Sequence, residues 1–117
     1  MARCLAERVD AAAGRQLLLR SIPERDFQQA VIDTARLLGW RVQFHWSERH
    51  SPKGWPDLTL IRPPRLLFVE CKTERGRLTA AQKSTLALLV PVPHIECSVW
   101  RPRDLDQIQR VLARDGD

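Results

Sequence analysis

Asp57, Glu70 and Lys72 lie in the stretch GWPDLTLIRPPRLLFVECKTERGRLTAAQ, at a spacing that would let them act together on one phosphate. Asp57 and Glu70 stand equally far from Pro63-Pro64, so two strands reversing at those prolines would set the carboxylates opposite each other on one face. Cross-strand partners have Cβ atoms roughly 4.5 to 5.5 Å apart, where like charges destabilise a sheet. At an effective dielectric near 20 the repulsion is on the order of 3 kcal/mol, which a bound divalent cation would remove. Lys72, two residues beyond Glu70, projects to the same face because side chains alternate along a strand. Mg²⁺ prefers oxygen ligands and usually takes one or two carboxylates plus substrate phosphate. A neighbouring lysine can orient the attacking water or stabilise charge developing on phosphorus. These residues predict Mg²⁺-dependent phosphodiester hydrolysis, with Mn²⁺ as the expected substitute.

Pro56-Asp57, twelve intervening residues, then Glu70-Cys71-Lys72 resembles the PD-(D/E)XK nuclease signature. Around it stand Glu24, Phe27, Gln28, Gly39-Trp40, His45, Ser51, Gly54, Gly76-Arg77-Leu78-Thr79, Gln82 and Trp100-Arg101-Pro102. With these the chain resembles the VRR-NUC family, the virus-type replication-repair nucleases, in its compact standalone form, over about residues 22 to 114. The resemblance implies an α/β fold with the αβββαβ restriction-endonuclease-like core. It also implies a phage-like or prophage-derived DNA endonuclease, a homodimer, acting on branched DNA such as a four-way (Holliday) junction or a flap, as in DNA repair. It assigns Asp57, Glu70, the Cys71 backbone carbonyl and Glu24 to the metal, Lys72 to the attacking water, and Gln82 to the lysine or the phosphate.

The 117-residue chain has ordinary apolar content, 44%, and reads as one domain over residues 22–117 behind a helical or partly disordered leader, residues 1–21. No run of about 18 apolar residues could cross a bilayer, and the N-terminus lacks a signal-peptide pattern. The expectation is a cytoplasmic protein of a bacterial or phage-infected cell. Cys4, Cys71 and Cys97 are widely spaced, without metal-type pairing, and read as reduced thiols, the latter two buried on strands. A formal charge of +5 and a pI near 9.9 favour a polyanionic partner. Arg62, Arg65, Lys72, Arg75 and Arg77 are expected to gather around the site, where phosphates would lie.

Periodicity and helix breakers set the elements that must hold this constellation. Ser21-Ile22-Pro23-Glu24 opens a helix that Gly39 closes, with Phe27, Val31, Ala35 and Leu38 on one stripe. Glu24 falls on that stripe and has two readings: a capping box with Ser21, or a third acid at the metal. A strand over 40–46 puts Arg41, Gln43 and His45 on one side. His45 reads either as a hydrogen-bonded structural residue or as a phosphate or water contact. Residues 47–55 form a polar loop whose Arg49, Ser51 and Lys53 could grip a phosphate backbone or simply face solvent, with Gly54 at a close backbone approach.

Residues 58–62 and 66–71 form the hairpin, the apolar run Leu66-Leu67-Phe68-Val69 indicating cover on both faces. A charged loop over 73–77 brings Arg75 and Arg77 beside Lys72. Thr79 caps a helix running to about Val90, where Gln82 either completes the capping box or turns inward to the site. A strand over 95–100 and a short helix over 104–112 complete a mixed four-stranded sheet flanked by helices. Two other readings remain open: a noncatalytic nucleic-acid-binding module on the same fold, and a sequence-specific restriction or nicking enzyme.

Overall fold

A computed structural model describes residues 2–44 and 53–116. Helices α1 (Ala2–Ser21) and α2 (Glu24–Leu37) lead into strands β1 (Arg41–Phe44), β2 (Leu58–Arg62) and β3 (Arg65–Cys71). Helix α3 (Ala80–Leu89), strand β4 (Glu96–Trp100), a 3-10 turn over Pro102–Asp104 and helix α4 (Leu105–Ala113) follow. The sheet order is β1-β2-β3-β4: the first three strands form an antiparallel meander, and β4 joins β3 in parallel. The α3 crossover makes that parallel pair possible.

Helix α2 ends as its sequence requires. Gly39 takes φ +88, Trp40 N–H donates to the Ala35 carbonyl at 3.0 Å and Gly39 N–H to that of Arg36 at 3.1 Å. This closure satisfies carbonyls that a helix end leaves open, at a backbone angle that glycine adopts without steric penalty. The start of α2 differs from the sequence expectation. Ser21 is the last residue of α1, and its hydroxyl donates back to the Leu18 carbonyl at 2.7 Å; Pro23 occupies the N-cap with no side-chain hydrogen bond. The capping box between Ser21 and Glu24 therefore does not form, because the preceding helix has already taken the serine.

Phe27, Val31, Ile32 and Ala35 of α2 pack with Ile108 and Leu112 of α4 onto Leu58, Leu60, Leu67, Val69 and Trp100 of the sheet. Each buried Val, Leu, Ile or Phe among them contributes roughly 1.5 to 3 kcal/mol relative to exposure. The opposite sheet face is covered only in part, contrary to the expectation of a strand shielded on both sides. Leu66, Phe68, Cys97 and Val99 are half-buried and Ile61 is exposed. The ten residues of α3, none fully buried, span about 15 Å and are too few to shield four strands.

Arg62 and Arg65 also depart from expectation. They pair with each other at the turn end of the hairpin, five residues of strand and about 17 Å from the acids. Both guanidinium groups lie over the Trp40 ring, at 4.8 and 5.0 Å from its centroid. Arg65 grips Glu96 with two hydrogen bonds of 2.9 and 2.8 Å and the Val111 and Arg114 carbonyls at 2.8 Å, while Arg62 donates to the Leu38 and Arg114 carbonyls. These arginines fasten the C-terminal segment to the hairpin rather than lining a phosphate path. Among the described residues, no helix is long and apolar enough to cross a membrane.

Candidate active site

Register places the acids. Leu58 pairs with Val69, and one further step along the same ladder sets Asp57 against Glu70. The Cys71 amide donates to Asp57 Oδ2 at 2.8 Å, which fixes the Asp57 side chain beside the end of β3. The Cys71 side chain is buried on the α2–α4 side of the sheet, so Cys71 meets the site through its main chain. Burial, then the charges of Asp57, Glu70 and Glu24, push its thiol pKa far up, which leaves it a poor nucleophile and a poor metal ligand. Cys97 is likewise a free thiol, half-buried rather than buried, its pKa raised by burial.

Glu70 is the most enclosed carboxyl of the cluster, with 2% of its surface exposed. Burial first, then the negative charge of Asp57 and the hydrogen bond shared with it, push the Glu70 pKa up to about 8. The Lys72 ammonium, 4.0 Å from Glu70 Oε1, pulls the other way without offsetting them. Lys72 is itself buried at 9% exposure, and its amide donates to the Trp100 carbonyl, so β4 holds the lysine's backbone in place. Two carboxyl groups within hydrogen-bonding reach share one proton up to near-neutral pH, because two negative charges so close together are unfavourable without a cation.

Gln82 serves both roles that its sequence position allows. Its Oε1 accepts the Thr79 amide at 2.8 Å while the Thr79 hydroxyl accepts the Gln82 amide at 3.1 Å, completing the capping box at the start of α3. Its Nε2 donates to Glu70 Oε1 at 3.0 Å. A carboxamide has an acceptor and a donor end, so the cap and the site contact do not compete. Gly54 keeps α3 close: at φ +88, a Cβ there would lie 2.3 Å from the Ala81 carbonyl oxygen.

Glu24, freed from the cap, stands at the first turn of α2 with its side chain exposed, on the wall of a cleft of about 250 Å³ shared with Arg25, Gln28 and Phe44. Partial burial and the charge of Asp57 raise its pKa, and Lys72 lowers it, so it lies within electrostatic reach of both. Among the described residues, no group of three or more His, Cys, Asp or Glu side chains is gathered tightly enough to hold a metal by itself. A hard divalent cation needs less from the protein, since one or two carboxylates with substrate phosphate suffice for Mg²⁺. The Asp57–Glu70 pair meets that requirement.

Lys53, Arg75 and Arg77 are exposed on the segments entering and leaving the acid pair. His45, Arg49 and Ser51 lie outside the described residues. Sequence reasoning gave Arg101 no role of its own. Its Nη1 donates to the carbonyls of Thr73 at 2.7 Å, Gly76 at 2.6 Å and Glu74 at 3.5 Å, gathering the loop that follows Lys72. A contact between residues more than twenty apart leaves no local signal, and only the Trp100-Arg101-Pro102 motif marked the position. No protein-family model, curated protein or solved structure matches the chain.

Proposed function

We propose that this chain is a Mg²⁺-dependent, structure-specific DNA endonuclease with a PD-(D/E)XK core of the VRR-NUC kind, acting on branched DNA. The observation that carries the reading is the buried Glu70 carboxyl set against Asp57, with Lys72 and Gln82 both at its Oε1. Leaving a carboxylate pair in a low-dielectric site is unfavourable unless a cation joins it, so a fold that keeps the pair gains from binding one.

Asp57 and Glu70 would hold the ion, with the Cys71 carbonyl as a further oxygen and Glu24 within reach of a water or a second ion. When bound, the ion polarises the scissile phosphate and makes water a stronger nucleophile at neutral pH. Lys72 orients that water and stabilises the charge that builds on phosphorus. Gln82 keeps Glu70 in place, and Lys53, Arg75 and Arg77 supply cations to flanking phosphates. Each chain carries one acid pair, and a junction has two strands to cut, so the working unit is a homodimer. A purely binding module gains nothing from carboxylates turned toward phosphates, which repel them.

The test is cleavage of labelled junction, flap and linear DNA with Mg²⁺, Mn²⁺ or EDTA. Junction or flap is cut with either metal and spared in EDTA, and Asp57→Ala, Glu70→Ala and Lys72→Ala each lose cutting. Three variants that cut as well as the wild type would overturn the assignment. Retention of DNA with no cutting in any metal would favour the noncatalytic module, and one preferred sequence in linear duplex would favour a restriction-type enzyme.

A further inference from the structure

We infer that Trp55 is a stacking platform for an unpaired nucleobase beside the acid pair, so that the substrate is single-stranded or locally opened where it is cut. The inference rests on the nuclease reading and adds to it the state of the DNA at the site.

Trp55 is a large aromatic with 37% of its surface exposed, two residues before Asp57. Its ring meets Phe68 edge to face, with centroids 5.7 Å apart and planes at 81°. Phe68 is two residues from Glu70 on the same face of β3, a separation of about 6.8 Å. The indole therefore lies over the sheet face that carries Glu70, one side-chain step along β3 from it. In an edge-to-face pair, at least one face of the indole is left uncovered by its partner, whichever ring presents its edge.

The platform is held on both sides. Gly54, before it, is pressed against the Ala81 carbonyl, and Pro56, after it, is buried. A following proline also restricts the Trp55 backbone to extended conformations. An aromatic fixed in this way loses little freedom on binding, the condition under which a stacking contact is most effective. Any base has a π face to offer such a ring, but a base inside a duplex is already stacked on its neighbours. With Lys53 exposed two residues before it, Trp55 combines the aromatic surface and the nearby cation that single-stranded nucleic acid needs.

The test uses the full chain with flap and junction DNA carrying one abasic nucleotide, moved position by position across the branch. Affinity is read by fluorescence anisotropy in Ca²⁺, and kcat and KM in Mg²⁺. Trp55→Leu keeps apolar cover over Phe68 but has no π face, and Trp55→Phe keeps a smaller one. Trp55→Leu is expected to weaken binding by about 5- to 150-fold, the range of one base–aromatic stack, and to act mainly on KM. Trp55→Phe retains most of the affinity. In the wild type, one abasic position reproduces the loss, and at that position Trp55→Leu causes no further loss. A Trp55→Leu protein that binds and cuts like the wild type, or whose loss adds in full to that of every abasic position, overturns the platform while leaving the nuclease intact. A wild type that neither binds nor cuts any of these DNAs removes both.

Discussion

Replacing Glu70 by glutamine keeps the shape of the side chain and an oxygen for Gln82, but removes the ionisation. In the folded protein the Glu70 pKa stands at about 8 against an ordinary 4.5. Between those values the folded state keeps a proton that the unfolded chain has released, so stability falls as pH rises through that window and is level on either side. At about 1.36 kcal/mol per pH unit, the full effect is about 5 kcal/mol. Domains of this kind are stable by only about 5 to 15 kcal/mol, so the metal-free wild type should lose a large share of its stability by pH 9.

Glu70→Gln does not titrate there. It is expected to match the wild type near pH 4.5 and to exceed it increasingly up to about pH 8. Urea unfolding from pH 4.5 to 9 in EDTA measures this directly, and with a slope of roughly 1 to 3 kcal/mol per molar urea the midpoints should separate by roughly 2 M or more. Added Mg²⁺ should narrow the gap by stabilising only the wild type. Parallel stability profiles for the two proteins across this range would refute the reasoning, because they would mean that Glu70 ionises as freely folded as unfolded.

Gln82→Ala removes both a cap and the hydrogen bond to Glu70, whereas Thr79→Ala removes only capping, worth about 0.5 to 2 kcal/mol. The alanine at 82 should be the more destabilising in urea by about 1 kcal/mol, and should reduce cutting where Thr79→Ala does not. Gly54→Ala forces a Cβ against the Ala81 carbonyl at a positive φ. It should cost about 1 to 3 kcal/mol, seen as a lower thermal midpoint, and should weaken cleavage although both acids remain. Arg101→Lys, with a side chain one atom shorter, should fall short of the Thr73 and Gly76 carbonyls that Nη1 holds together. Hydrogen exchange at the Gly76 amide should accelerate and kcat should fall more than DNA affinity.

Local rules carried much of this protein. Two prolines pin the hairpin turn, so the chain interval alone sets Asp57 against Glu70, and the strand register follows it. Gly39 at the end of α2 and Thr79 at the start of α3 are equally legible, because each satisfies backbone groups within a few residues of itself. Ser21 shows where such rules fail. Its spacing to Glu24 matches a capping box, but two helices compete for the serine, and α1 holds it through the Leu18 carbonyl.

Tertiary structure alone decided three things. It sent Arg62 and Arg65 to Trp40 and the C-terminal chain, although their sequence positions flank the same hairpin as the acids. It left one sheet face half-covered beside Trp55, because coverage depends on how far α3 reaches and not on how apolar β3 is. It also raised the Glu70 pKa, since desolvation reflects the stacking of whole layers around a carboxylate. The sequence by itself determined which residues meet along the chain's own ladder. Burial and long-range contact, which depend on every layer at once, determined what those residues experience when they meet.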